Sequence, residues 1–340
     1  MIGISMKRKS ILLFTVMFLF IILLTSCMKN TEDNKLTPII LSEVAHSIFY
    51  APQYAAIELG YFEEEGIDLT LENAFGADKV MTALISGHAD IGFMGCESSI
   101  YVYQEGQEDY AVNFAQLTQR AGNFLVGRTA QTDFSWKDLK GKTVLGGRAG
   151  GMPEMIFEYI LRKNGIDPKK DLTIIQNIDF GSTAAAFSGG QGDYSIEFEP
   201  YAAKLEAEGD GVVLASLGVD SGYVPYTAYC VKKSYMEQTD HKLQEFTNAI
   251  QKGLDYVNSH SPEEIAAVIA PQFKETSPDT IATIVQRYKE QDTWKENTIF
   301  EPEGFELLQD ILKDGNELKA YVPYEKLVTT EFSEKAFIRE

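Results

Sequence analysis

The stretch FYAPQYAAIELGYFEEEGIDLTLENAFGADKVMTALISGHADIGF, residues 49–93, carries the fold in its rhythm. Ala51 to Gly60 reads as a helix that a glycine stops, and the turn-like EEEGIDLTLENAF that follows ends in a strand. Lys79 to Ser86 returns to helix, and Ile91 to Gly95 is again an apolar strand. Upstream, Pro38 to Val44 (PIILSEV) is a strand; downstream, Ser98 to Gln104 is a helix. Strand and helix taking turns at this spacing predict an α/β protein with a parallel-type sheet and crossover helices.

The alternation resumes with KTVLGG (142–147), a helix over 153–164, LTIIQN (172–177), a helix over 182–188, DYSIEF (193–198) and a helix over 200–208. Two series of similar size imply two lobes. Gly87-His-Ala-Asp90 before one strand is echoed by Gly190-Gln-Gly-Asp193 before another, a light sign of duplication because such turns are common. After a strand near AYCVKK (228–233), helices dominate: 235–258, 262–270, 278–290 and 302–313. Ser261-Pro262-Glu263-Glu264 and Ser277-Pro278-Asp279 each set an N-cap, a proline at the first helical position and first-turn acids. Ile265, Val268 and Ile269 recur at helical spacing with no titratable cluster, which predicts packing rather than chemistry.

The chain opens with Lys7-Arg8-Lys9, an apolar run from Ser10 to Leu24, and Leu24-Thr25-Ser26-Cys27. That run is short for a spanning helix but suits a signal peptide. Its end resembles the bacterial lipobox, in which the cysteine sulfur is acylated and becomes the new N-terminus. The expectation is a signal peptide over 1–26, lipid on Cys27, a polar tether over 27–36 and an exported protein anchored to the extracytoplasmic face of the cell membrane. A plain anchor helix with an incidental cysteine is the alternative. With 340 residues, 44% hydrophobic, the chain is long and apolar enough for two cored domains. Its 30 Lys and Arg face 50 Asp and Glu, a net −20; without the first 26 residues the balance is 27 against 50. Such a charge repels nucleic acid and anionic headgroups. Three Cys and four His support neither a disulfide scaffold nor a zinc module, so no metal and no cofactor are expected.

Several spaced motifs carry a resemblance: A-x-x-x-G-Y-F-x-x-E-G at 56–66, G-x-A-D-I-G at 87–92, W-x-D-L-K-G-K-T-V at 136–144, the helical stretch Gly150 to Gly165 ending in Asn-Gly, and Glu199-Pro200-Tyr201. The chain resembles the solute-binding proteins of ABC importers, in the family of the nitrate, sulfonate and taurine binders and the thiamine-pyrimidine binders. The resemblance spans roughly 36–335. It implies a type II periplasmic-binding-protein fold: two α/β lobes joined by two crossover segments, with the ligand cleft between them. It places the crossovers near 114–126 and 220–230, lobe one over 37–126 and 223–340, and lobe two over 127–222. It also implies an ABC permease with its ATPase as partners, and no enzymatic activity.

In an open α/β sheet, ligands sit at the carboxyl ends of strands, beside helix N-termini. Four loops qualify. Ala45–Tyr50 offers His46, Ser47, Phe49 and Tyr50 as a stacking and hydrogen-bonding floor; the alternative is Phe49 and Tyr50 as core with His46 solvated. Met94–Ser98 offers Gly95 for close approach, Glu97 as an acceptor, and Cys96 or Ser98 as cap or ligand contact. A Cys96 nucleophile lacks a base motif, and pairing of Cys96 with Cys230 is allowed but unsupported. The glycine-rich Gly146–Pro153 suits anion capture by backbone N–H groups, with Arg148, Gly150, Gly151 and Met152 facing ligand; the alternative is a tight turn with a solvated arginine. Alternation in Ser195–Tyr201 puts Glu197 and Glu199 on one strand face, toward ligand or toward solvent. Gln116, Thr118 and Tyr226, in the crossover segments, complete the candidate set. One arginine against three carboxylates favours an aromatic heterocycle, such as a thiamine pyrimidine precursor or a flavin-like vitamin, over sulfonate, taurine or nitrate. An enzyme of pyrimidine synthesis is a further alternative, but the Cys-rich signature of that relative is missing and Cys96 stands alone. A lipoprotein that presents ligand to a sensor is the other.

Overall fold

Ten strands fall into two five-stranded sheets in the computed structural model, which describes residues 36–338; the expected signal peptide and the expected lipidation at Cys27 therefore lie outside the described residues. Sheet one comprises β1 (Thr37–Glu43), β2 (Ile67–Asn73), β3 (Ile91–Gly95), β4 (Ala111–Thr118) and β10 (Thr227–Lys232), in the order β2-β1-β3-β10-β4. Sheet two comprises β5 (Asn123–Gly127), β6 (Thr143–Leu145), β7 (Thr173–Ile175), β8 (Tyr194–Phe198) and β9 (Val212–Ser216), in the order β7-β6-β8-β5-β9. The layouts are the same. In each, three parallel strands lead, one antiparallel strand takes fourth place, and the last strand closes the edge.

The antiparallel strands, β10 and β5, adjoin the two crossings between sheets, so the purely parallel expectation is corrected there. The crossings are also shorter than the sequence suggested. The expected crossover 114–126 is mostly strand: β4 runs to Thr118, β5 starts at Asn123, and only residues 119–122 lie between. Every residue of β4 is buried, so its polar Asn113, Gln116 and Thr118 hide no solvent face and no alternation marks it. The return passes through the short helix Leu217–Ser221 and residues 222–226.

The repeated Gly-x-small-Asp turns have a common mechanical role. Asp90 donates its N–H to Ile40 O at 2.9 Å and accepts the Ile40 N–H on its carboxylate at 2.9 Å. Asp193 makes the same reciprocal pair with Thr143, at 2.7 and 2.8 Å. Each aspartate thus clamps the neighbouring parallel strand in register before its own strand begins.

Between the sheets, aromatic rings replace aliphatic packing. The Phe49 ring is wholly buried, with centroids of Tyr50, Tyr226, Tyr288 and the sheet-two Phe198 at 5.0, 5.6, 5.5 and 5.8 Å. Gly122 lets the crossing pass over this ring, since a Cβ there would overlap Phe49. Trp294 donates its indole N–H to Phe49 O at 2.8 Å, and the Tyr288 hydroxyl reaches Gly122 O at 2.9 Å. The C-terminal helices thereby pack against the crossing. Helix Pro278–Glu290 begins at the Ser277 cap, as its sequence predicts; the expected 235–258 helix is two, Lys233–Gln238 and Asp240–Ser259.

Candidate functional site

The carboxyl ends of β1, β3, β6 and β8 converge on a pocket of about 30 Å³. Tyr50, Met152, Phe198 and Tyr226 give it aromatic and thioether walls, and Glu97 and Arg148 are its charged groups. Each part has a local cause. Ser47 accepts the Phe49 N–H at 3.2 Å and so caps the single turn Ile48–Tyr50, which turns Tyr50 inward. Gly95 ends β3 without a side chain, and the Glu97 carboxylate folds back over it; a Cβ at 95 would overlap that carboxylate. The loop after β6 holds Gly147 and Gly150 at φ of +85° and +72°, left-handed conformations that glycine takes without strain.

Two backbone donors of that loop are already committed. Gly150 donates to Glu154 Oε2 at 3.1 Å and Gly151 to Arg148 O at 3.1 Å. The Met152 N–H faces the Glu97 carboxyl and favours its ionised form. Glu97, on the helix Glu97–Gln104 of lobe one, therefore sets a carboxyl group at the N-terminus of the lobe-two helix Met152–Lys163. This corrects the expectation of a free anion cradle. Burial pushes the Glu97 carboxyl up to about 7 against the pull of its own and the Met152 N–H groups and of Arg148. Its Oε2 is buried with no hydrogen-bond partner among the described residues. Arg148 is half-exposed and 3.6 Å from Asp78 across the cleft, so it is neither a free ligand donor nor merely solvated. Tyr101 donates to Gly150 O at 3.0 Å, a second tie across the same flank.

The remaining candidates are scattered around this pocket. Gly95, Gly151, Met152, Tyr50 and Tyr226 line it; Gly150 and Cys96 do not. Cys96 precedes its helix without a side-chain cap bond, correcting that expectation for Cys96 and Ser98 alike. Cys96 and Cys230 are free thiols, both pushed up by burial, so neither supplies a thiolate. Phe49 lies behind Tyr50 in the core. His46 is not solvated: it bonds Glu43 Oε1 at 2.8 Å and Gln272 O at 2.9 Å and stacks on Phe273. Burial pulls its pKa down, but those two partners outweigh burial and leave it raised. Ser47 donates to Glu199 O at 2.6 Å, another bond between lobes.

Gln116 and Thr118 are turned inward. Gln116 donates to Thr118 O, and Thr118 Oγ1 lies 2.5 Å from Thr227 Oγ1, behind the pocket wall. Glu197 and Glu199 are both buried, which removes the solvent alternative. Glu199 pairs with Arg287, which also holds Glu206 at 3.1 Å. Glu197 takes hydroxyl donors from Ser195 and Thr183, and burial pushes it up to about 7. Sequence reading missed Asp78, Thr227, Phe198 and Arg287; nothing local marks residues that meet only across the cleft. Among the described residues no three His, Cys, Asp or Glu side chains are grouped to hold a metal, and no helix is long and apolar enough to cross a membrane.

Two sheets of matching order with a cleft at their strand ends define a bilobal binding-protein fold. Residues 48–265 match the family described as NMT1/THI5 like, and the chain belongs to that family. Over 304 residues it is 45% identical to a protein of Bacillus subtilis (strain 168) named "Putative binding protein YtlA", covering 89% of this chain and 91% of that one. The alkanesulfonate-binding protein SsuA of Xanthomonas axonopodis pv. citri, bound to MOPS, superposes with a TM-score of 0.71 at 15% identity, over 86% of this chain and 98% of that one. The periplasmic nitrate-binding protein NrtA of Synechocystis PCC 6803 gives 0.69 at 15% identity, over 89% and 88%. The fold is thus the type II periplasmic-binding-protein fold that the sequence resemblance implied.

Proposed function

We propose that the protein is the extracytoplasmic solute receptor of an ABC importer, that it binds reversibly without chemistry, and that its ligand is a small aromatic heterocycle bearing N–H donors. One observation carries the ligand class: Glu97 occupies the helix N-terminus where an anion would sit, and still has one buried oxygen unpartnered. A buried carboxyl without partners is costly, and an N–H donor between the Tyr50 and Tyr226 rings relieves that cost. A thiamine pyrimidine precursor or a flavin-like vitamin is such a heterocycle, and because about 30 Å³ holds little more than a water, the lobes must part to admit either.

The test is a thermal-shift screen across pyrimidines, flavins, purines, taurine, alkane sulfonates and nitrate. A ligand at about 100 times its Kd stabilises by roughly 2.7 kcal/mol. A shift with pyrimidines alone, with the ligand recovered unchanged, supports the proposal. A shift with sulfonates or nitrate alone overturns the ligand class and favours the alternative binder in the same importer role. Consumption of the ligand overturns the non-enzymatic role. Membrane anchoring through lipid on Cys27 belongs to the same proposal; labelled fatty acid that still appears on a Cys27→Ala variant would remove it.

A further inference from the structure

The cleft contains a second pocket beside the first. It measures about 20 Å³ and is lined by His46, Ser47, Phe75, Thr183, Glu197 and Tyr201, together with Ala45 and Phe198. Ala45 and Phe198 also line the first pocket, so the two chambers share a wall that is mostly one aromatic ring. Each chamber contains one buried carboxyl, Glu97 in the first and Glu197 in the second, and each of these is 1% exposed.

The surroundings leave both carboxyls short of a cation. Glu97 keeps an unpartnered Oε2, and its nearest arginine, Arg148, is half-exposed and shared with Asp78. Glu197 is held by the Ser195 and Thr183 hydroxyls, which donate hydrogen bonds but bring no charge. The imidazole of His46, the one basic side chain lining the second chamber, is already committed to Glu43 and Gln272 O. Burial favours the neutral form of both acids. The second chamber is also open at its rim. Phe75 is 52% exposed and adopts φ of +54°, a conformation in which a bulky residue is rarely found.

Resting on the receptor role and N–H-donating ligand proposed above, we propose that the ligand is two-headed: two N–H-bearing groups, at least one cationic, joined by a flat apolar spacer that lies along Phe198, one head on Glu97 and the other on Glu197. A single-headed ring would draw one carboxyl into an ion pair and leave the other buried as a neutral acid, whereas a second cationic head recruits both.

Benzamidine and 4-(aminomethyl)benzamidine separate the possibilities by isothermal titration, since they share a ring and one head and differ in the second. The two-headed probe should bind roughly tenfold tighter or more, the worth of one hydrogen bond to a charged group. In Glu197→Gln that advantage should vanish, and in Glu97→Gln both probes should weaken. The wild-type ratio alone decides the matter if a variant fails to fold. Equal binding of the two probes overturns the two-headed ligand and leaves the N–H-donating heterocycle standing. Binding by neither probe also overturns the two-headed ligand, and the thermal-shift screen separately decides the heterocycle.

Discussion

Gly122 and Arg287 show how single residues set the geometry between the sheets. Gly122 has no room for a side chain because the Phe49 ring occupies the space where a Cβ would go. Gly122→Ala should therefore destabilise the protein by about 1–3 kcal/mol, the usual cost of overpacking a tight core, read as a lower urea midpoint. An unchanged midpoint would mean that the ring shifts freely. Arg287 joins a C-terminal helix to Glu199 and Glu206. Glu199 is wholly buried, so Arg287→Met strands its charge. The expected loss is about 3 kcal/mol, the low end for a broken buried pair, because Arg287 keeps some contact with water. A loss below about 1 kcal/mol would place this pair among ordinary surface bridges. Neither role is legible locally. The partner of Glu199 lies 88 residues away, and no spacing rule reaches that far.

At the scale of elements, the two aspartate clamps are the most direct link between sequence and fold. Asp90 and Asp193 each fix a strand start through two hydrogen bonds, so Asp90→Ala and Asp193→Ala should each cost about 1–3 kcal/mol. Because the clamps sit in different sheets, the double variant should lose close to the sum. Chemical denaturation of the three variants measures this; a neutral single variant would show that the turn alone sets the register. The echo of these turns was visible in the sequence, whereas their bonding was not. Capped helices were legible almost to the residue, as Pro278–Glu290 shows, because Ser277 and Pro278 mark the start chemically. Strands β4 and β5 were not. Covered on both faces, β4 has no solvent side to impose alternation, and its Asn113 is polar only to meet Ser99 and Leu327 O inside the fold. Of the candidate site, the loops after β1, β3 and β6 were legible from strand ends and glycines. The use of the glycine loop was not, since Gly150 and Gly151 donate to Glu154 and Arg148 of their own lobe and Glu97 of the other lobe faces the helix start.

Across the whole molecule, the buried acids set a pH dependence. Burial first, and for Glu154 the neighbouring Glu158 next, raise Glu97, Glu154, Glu197 and Glu199 above the ordinary carboxylate value of 4.5. Between that value and about 7, the folded protein keeps protons that the unfolded chain releases, so stability falls as pH rises. One unit is worth about 1.4 kcal/mol, so Glu97 and Glu197 each account for a few kcal/mol. His46, raised as well, loses its contribution in the same direction as pH climbs through its folded value. Exposed acids with lowered values, such as Asp167 and Glu264, gain their stabilisation at lower pH and are constant across this window. The melting temperature should thus be higher at pH 5.5 than at pH 8. A flat or rising profile would mean that these carboxyls are ionised and compensated in the folded state.

Sheet two is encoded without interruption, from Asn123 to Ser216, whereas sheet one waits for a strand that arrives last and belongs near its middle. As the chain emerges from the ribosome, β3 and β4 have no neighbour between them until Lys232 has been made. The half that is synthesised first is therefore finished second. A chain truncated between Ser216 and β10 would hold a complete second lobe beside a first one split down its centre, with two raw edges open to any passing strand.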